Sequence, residues 1–330
     1  MPLYPSTELA QITGALLTDG HVDWYVSDGS PRTRKIILYS SNEEECEWFS
    51  GLVKKVFAVE PKITAYLPKY GQFKLQPYKA VLNNSVVAQT MILLGVCAGD
   101  KTKCGYKVPE WILNGNKKIK AAFLKTVFTF DGSKPYKRKN TWTISYSTTV
   151  TKEALPNGFL LFKQLNQLLK EFGVTFSSIP TAHLKENGKF MLISSASSRE
   201  SITNFLRNLG YLNENKQRRL AYAVAEIFKL ARIRSPKNNH LLSKFKKIFG
   251  TDKETAFFVN KLLKTKYTKR QFEHFRRNET MAPLEILALA LKKTKTKNYL
   301  PDWAKFLHSH YLSLVPLMNS STISLAADGE

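Results

Sequence analysis

Two aspartates, Asp19 and Asp131, each close a mostly apolar nine-residue run and each precede a glycine. The first run is Ile12-Thr13-Gly14-Ala15-Leu16-Leu17-Thr18-Asp19-Gly20; the second is Leu124-Lys125-Thr126-Val127-Phe128-Thr129-Phe130-Asp131-Gly132. An acidic residue at the C-terminal end of a helix opposes the helix dipole, so two such placements ask for a compensating charge. If the two runs are helices packed on each other, their carboxylates meet and repel. A divalent cation that prefers oxygen ligands relieves the repulsion, and Mg²⁺ is the abundant choice, with Mn²⁺ expected to substitute. A cation held there activates water and stabilises the charge of in-line attack on a phosphodiester. The plainer alternative is a pair of buried helices whose Asp-Gly ends serve only as caps. The glycines after the aspartates suit a left-handed helix terminus.

The elements around each run repeat as well. Strand-like runs at His21 to Ser27 and Lys35 to Ser40 are followed by a helical pattern from Glu43 to Ala58, strands at Lys62 to Leu67 and Phe73 to Asn83, and a helix from Ser85 to Leu94. After Gly132, a weakly signalled first strand precedes one at Thr141 to Thr148, a helix at Gly158 to Phe172, a hairpin turning at Asn187-Gly188, and a helix at Ser198 to Leu209. The fold class expected is therefore α+β: a pseudo-twofold duplicated αββαββα unit with two curved antiparallel sheets, plus a helical C-terminal extension. The expected boundaries are 1–98 and 117–233 for the repeats, 99–116 for a Gly/Lys-interrupted linker, and 234–330 for the extension. Small residues in the first run let a second helix approach closely.

The 330 residues carry 50 Lys+Arg against 26 Asp+Glu, a formal net charge of +24, which points to a polyanionic partner. No apolar span of membrane length and no signal-peptide pattern stands out, so the partner expected is double-stranded DNA rather than a membrane. Three cysteines, Cys46, Cys97 and Cys104, are too few for a disulfide framework or a four-thiolate zinc site. They are expected to be ordinary thiols in a reducing, nucleic-acid-containing compartment, the cytoplasm or an organelle matrix.

Basic side chains interleave with aromatic and hydroxyl ones on the strands and loops: Trp24 and Tyr25, Arg32, Arg34 and Lys35, Lys74 and Lys79, Lys137, Arg138 and Lys139, Lys185 and Lys189. This mixture suits phosphate positioning with base-edge contact in a major groove, although any one such charge is more simply a solvated face. His21 follows the first run; it is a candidate acid/base, or a strand residue that touches DNA or solvent.

Both nine-residue runs, the elements after them, and Lys107-Val108-Pro109-Glu110-Trp111-Ile112 ahead of the second run resemble the LAGLIDADG homing endonucleases of the two-motif, monomeric, archaeal or intron-encoded type. The resemblance covers roughly residues 8 to 230. It implies a site-specific, metal-dependent double-strand break in a long DNA target, with Asp19 and Asp131 as catalytic metal ligands and the backbone carbonyls of Thr18 and Phe130 as further ligands. It also implies a catalytic lysine just after the second motif, a place held by Lys134; the sequence departs from the family's pattern at Thr126, where a glycine is usual, which predicts looser packing of the second helix. The alternatives within the same fold are an intron RNA maturase, for which intron RNA is the partner, and a DNA-binding regulator. The lack of splicing-type terminal segments speaks against an intact intein. The extension, with 17 Lys+Arg against 8 Asp+Glu over 235–330, is helical and basic, and either reads DNA or braces the core.

Overall fold

A computed structural model describes residues 4–309 apart from 24, 28–29, 33, 66–76, 105–106, 178–179 and 307–308. The chain divides into two compact units, residues 1–220 and 221–330.

The first unit begins with α1 (Thr7–Leu17), β1 (Gly20–Val22), a small hairpin of β2 (Tyr25–Ser27) and β3 (Ser30–Arg32), β4 (Lys35–Ser40), α2 (Glu43–Phe57), β5 (Lys62–Ala65), β6 (Tyr78–Asn83) and α3 (Ser85–Leu93). Two short helices follow, α4 (Lys101–Cys104) and α5 (Glu110–Leu113). The second copy comprises α6 (Lys117–Phe130), β7 (Tyr136–Arg138), β8 (Thr141–Val150), α7 (Leu155–Lys170), β9 (Thr181–Leu184), β10 (Phe190–Ala196) and α8 (Arg199–Asn208). Helix α9 (Glu214–Leu230) runs across the division between the units.

Each copy builds a four-stranded antiparallel sheet of the same topology. The orders are β1-β4-β6-β5 and β7-β8-β10-β9, so in both the fourth strand lies between the second and the third. The duplicated αββαββα architecture is thus present, with the β2–β3 hairpin as an insertion in the first copy. The weak first strand of the second copy is real but only three residues long.

Helices α1 and α6 pack on each other. Ser6 caps α1 by accepting from Leu9 N, and Asn116 caps α6 by accepting from Lys118 N and Ile119 N, which satisfies amides that have no partner in a first helical turn. Ile12, Leu16 and Leu17 of α1 and Phe123, Leu124, Val127 and Phe128 of α6 are buried. At roughly 1.5–3 kcal/mol for each fully buried large apolar side chain, this seam is a main source of stability for the unit. Around Phe128, rings of Tyr146, Phe176 and Phe205 close in at 5.7, 5.4 and 5.2 Å between centroids, joining the sheet and α8 to the motif helix.

Thr126 does not loosen the seam. It is fully buried, its Oγ1 donates to Ala122 O at 2.9 Å, and its methyl and Cβ fill the space that Gly14 leaves. A Cβ on Gly14 would lie 3.1 Å from Thr126 Cβ and 3.2 Å from Phe123 O. The smaller residue of the pair is needed on one helix only.

The segment expected as an irregular linker is structured. Trp111 Nε1 donates to Leu94 O at 3.0 Å and Val108 N donates to Gln164 Oε1 at 2.9 Å. Cys46 is a buried free thiol, whereas Cys97 is disulfide-bonded, which departs from the expectation of an ordinary thiol.

The second unit contains β11 (Arg232–Ile233), α10 (Pro236–Phe249), α11 (Asp252–Leu263), α12 (Lys269–Arg276), β12 (Ala282–Pro283) and α13 (Leu284–Thr294), with β11 and β12 pairing antiparallel. Helices α10 to α13 pack around Leu241, Phe245, Phe272, Ile286 and Leu287, all buried. No described helix is long and apolar enough to cross a membrane.

Candidate active site

Asp19 and Asp131 leave the C-terminal ends of the paired helices α1 and α6. The glycines after them serve a steric purpose rather than the left-handed one expected. Neither has positive φ, but a Cβ on Gly20 would sit 2.6 Å from Leu16 Cα, and one on Gly132 would sit 2.5 Å from Phe128 O. The chain must double back over its own last helical turn to enter the first strand, and only hydrogen fits there.

The aspartates feel each other. Burial raises the Asp131 carboxyl, and the neighbouring Asp19 charge adds to this, bringing it to about 7; the Lys101 and Lys216 ammoniums and a hydrogen bond from Tyr146 act in the opposite sense. Asp19 is also raised, first by desolvation, with Lys101 and Lys216 opposing and Glu45 reinforcing. Asp19 keeps surface open to solvent, so the crowding around it is one-sided.

Two lysines complete the cluster, and they are placed alike. Lys101 Nζ donates to Thr18 O and, at 2.8 Å, to Gly20 O. Lys216 Nζ donates to Thr129 O at 2.6 Å and Gly132 O at 2.7 Å. Each ammonium therefore bridges backbone carbonyls on either side of one aspartate, at a helix end where cations are favoured. Burial lowers both ammoniums from the usual lysine range, while Asp131 and Asp19 resist this at Lys101, and Glu45, Asp19 and Asp131 resist it at Lys216.

Lys216 is held from behind. Asn213 Oδ1 accepts from Lys216 N at 3.1 Å, and Asn213 Nδ2 donates to Glu45 Oε1 at 2.9 Å. Glu45 Oε2 in turn accepts from Ser40 Oγ at 2.6 Å. The start of α9 is thereby tied to α2 of the other copy.

Of the candidates expected from sequence, Asp19, Asp131, Thr18 and Phe130 converge here. Thr18 is buried, with Oγ1 turned back to Gly14 O at 2.8 Å, and the Phe130 ring lies 6.0 Å from that of Trp48. Lys134, three residues after Asp131, is exposed. His21 lies on β1 opposite Ile37, 3.9 Å from an Asp23 oxygen, with burial lowering its imidazole.

Lys101 and Lys216 were not singled out as site residues, although a signal exists. Lys101 lies eight residues beyond the end of α3 and Lys216 eight beyond the end of α8, so the repeat extends past the closing helix to a lysine. Ending the first repeat at residue 98 hides this.

The open faces of the sheets can be read from register. Lys35 pairs with Asn83 and Tyr39 with Lys79, and Lys79 also faces Thr64. Alternation puts these on the face opposite the buried Ile36, Leu38, Ala80 and Leu82. On the second sheet, the pairs Ser145–Ser195, Ser147–Ile193 and Thr149–Met191 occupy the corresponding face. Arg34 Nε donates to Tyr25 Oη at 2.5 Å, with its guanidinium 4.9 Å from the ring centroid. Lys137, Arg138, Lys139 and Lys185 are exposed, whereas Lys189 is half-buried and donates to Thr102 Oγ1 at 2.8 Å. Trp24 and Lys74 fall outside the described residues, as does the side chain of Arg32.

The donors around the aspartates are all oxygens, two carboxylates and helix-terminal carbonyls, a hard set that fits Mg²⁺, an ion that keeps several waters and needs only one or two carboxylates. Among the described residues no three His, Cys, Asp or Glu side chains gather as a metal site, so any cation would rely on backbone oxygens and water besides the aspartates.

No known family profile matches the chain. It is 27% identical over 213 residues to the replication factor C small subunit of Methanocaldococcus jannaschii, covering 62% of this chain and 11% of that protein. It is 26% identical over 231 residues to the DNA-directed RNA polymerase subunit Rpo1N of the same organism, covering 68% and 17%. It is 28% identical over 227 residues to the tRNA-splicing ligase RtcB of Pyrococcus furiosus, covering 65% and 22%. The chain thus spans between 11% and 22% of the length of these curated relatives. Among solved structures, it is similar to I-DmoI in complex with its target DNA in the presence of Mg (14% identity, 62% of this chain and 95% of that one, TM-score 0.40). It is also similar to the homing endonuclease I-WcaI bound to its DNA recognition sequence (11%, 63% and 83%, 0.38), and to full-length DUF199/WhiA from Thermatoga maritima (12%, 88% and 94%, 0.40).

Proposed function

We propose that this chain is a site-specific, metal-dependent DNA endonuclease of the homing type, acting as a monomer whose two repeats each supply one catalytic aspartate. The observation that carries the reading is the fourfold cluster: Asp19 and Asp131 at adjoining helix ends, with Lys101 and Lys216 each bridging the carbonyls beside one of them. A structural cap pair has no use for a carboxyl held near pH 7 between two desolvated ammoniums.

Asp19, Asp131 and the neighbouring carbonyl of Phe130 are the groups that would hold Mg²⁺ or Mn²⁺; the Thr18 carbonyl, the other ligand implied by the family resemblance, already accepts from Lys101 and would serve only through its second lone pair. A cation there supplies water activation and stabilisation of charge on the scissile phosphate. Through such a cation Asp19 and Asp131 would each orient an attacking water toward one strand. Lys101 and Lys216 set a positive potential over the same volume, where phosphate oxygens gain charge in the transition state. Their backbone hydrogen bonds fix the ammoniums before substrate arrives. Lys35, Lys79 and Tyr39 on one open sheet face, and the hydroxyl-rich face of the other, suit phosphate anchoring and base-edge contact in duplex DNA.

The curated relatives support a mobile-element setting. Each match covers more than half of this chain, so all three overlap within it, yet each takes up under a quarter of a host whose name differs from the others. A segment shared by otherwise different hosts is what an inserted coding element leaves behind. Selection of cleaved products from a randomised duplex library in Mg²⁺ tests the activity and returns the site. Finding no cleaved duplex, while the chain binds and folds a structured intron RNA, would favour the maturase reading.

A further inference from the structure

The second unit carries a cationic surface that the acid cluster does not use. The run Lys261-Leu262-Leu263-Lys264-Thr265-Lys266-Tyr267-Thr268-Lys269-Arg270 spans the end of α11, the turn and the start of α12. It holds five cations and no acid, and all five are exposed. The scaffold beneath is fixed. Asn260 Oδ1 accepts from Tyr267 N at 2.7 Å and Thr265 Oγ1 at 2.9 Å, and Asn260 Nδ2 donates to Tyr267 O at 2.7 Å. Lys264 ends α11 in the left-handed region, and Thr268 with Gln271 forms a capping box on α12.

Helix α12 is anchored by its other face. Phe272 is buried against Phe245 with centroids 6.4 Å apart, and Phe275 meets Tyr267 edge-on at 5.6 Å. Arg276 makes a bidentate pair with Asp252 at 3.0 and 3.1 Å. Farther along, Arg277 is neutralised by Glu273 at 2.6 Å and His274 pairs with Glu279. On α12 itself, the cations without an acidic partner among the described ion pairs are therefore Lys269 and Arg270 at its start, Arg270 Nε donating to His274 Nε2 at 3.3 Å. One turn back from Lys261 on the same face of α11, Phe257 is 71% exposed.

We propose that this turn and the N-terminal half of α12 form a second duplex-DNA docking surface, with α12 lying against the major groove. Two helices joined by a short stapled turn, the second exposed at its N-terminal half, are the geometry that reads a groove about 12 Å wide. An eight-residue helix is about 12 Å long, enough for contact with a few bases, while the five cations sit where they reach the flanking phosphates. The deep, narrow major groove of A-form RNA does not admit such a helix. The proposal rests on the reading of duplex DNA as partner and adds a contact that the duplicated core does not provide.

The test compares the full chain with its K261Q/K264Q/K266Q/K269Q/R270Q variant on a mixed-sequence duplex several helical turns long. Each lost phosphate contact lowers the slope of log K against log salt by about 0.9, so a fall of about 2 to 4 is expected, with hydroxyl-radical protection lost from one flank and kept over the core site. A control that replaces Lys244, Lys247, Lys253, Lys292 and Lys295 by Gln, all exposed in the same unit, should move the slope less and keep both protections. Equal falls in the two variants would overturn the proposal, as would an unchanged slope with core binding intact. An equal loss on double-stranded RNA would also overturn it, leaving a general polyanion cradle. Failure of the unmodified chain to bind duplex DNA would overturn this proposal and the functional reading together. Because all ten side chains are exposed, melting temperatures should stay within a few degrees of the parent.

Discussion

Gly14 faces Thr126 across the paired motif helices, and a Cβ on Gly14 would come within 3.1 Å of Thr126 Cβ. Gly14→Val should therefore destabilise the first unit by about 1–3 kcal/mol, the usual cost of overpacking a filled core. Thr126→Gly in the same chain should restore part of the loss. Thermal unfolding of the three variants measures this, and additive losses in the double variant would show that the two positions do not share the space.

Asp19→Asn and Asp131→Asn should each abolish double-strand cleavage while duplex affinity stays within a few fold. Each change removes a charge that holds the cation and leaves the oxygen-bearing side chain in place. Single-turnover cleavage and equilibrium binding on the same target decide it. Normal cutting of both strands by either variant would refute the assignment.

Lys101→Met and Lys216→Met should each slow the cleavage step by about 10²-fold. Lys134→Met separates two expectations: loss there of the same size would return the catalytic lysine to the place implied by family resemblance, whereas an unchanged rate leaves the role to the two lysines in the cluster. Asn213→Ala should reproduce part of the Lys216 defect, since Asn213 caps the turn from which Lys216 projects.

The raised Asp131 carboxyl makes a prediction about pH. Between the ordinary aspartate range near pH 4 and about 7, the folded chain holds a proton on Asp131 that the unfolded chain has released. Without divalent cations, this group's contribution to stability is therefore full at low pH and is lost as pH rises through about 7. A cation that displaces the proton should raise the melting temperature more at about pH 8 than at about pH 5. Asp131→Asn should remove that difference; a difference that survives in the variant would assign the proton elsewhere.

The duplicated architecture was legible because period-2 and period-3.6 patterns and two Asp-Gly ends recur in the same order. The acid pair was legible for the same reason. Thr126 was misjudged because packing depends on both faces of a seam, and one sequence position shows only its own side. The glycines after the aspartates were found but for the wrong cause, since a clash with the preceding turn leaves no mark distinct from a left-handed terminus. Lys101 and Lys216 escaped notice because each belongs to a connection after the last recognisable helix of its repeat. A lysine in a Gly/Lys-rich linker looks like solvated charge until folding carries it back over 80 residues to Thr18 and Gly20. The helix from Glu214 to Leu230, which begins just after Asn213, was missed with it, although Leu220, Val224, Ile227 and Phe228 recur at helical spacing and are buried.

The equal spacing of Lys101 and Lys216 from the helices before them means that each copy contributes one acid and one ammonium to a shared centre. A gene encoding a single copy would already have specified every chemical group of that centre, provided that two of its products met along the glycine-bearing helix. In one continuous chain each half is free to change its strands and loops separately, while the centre they share keeps its two acids and two ammoniums.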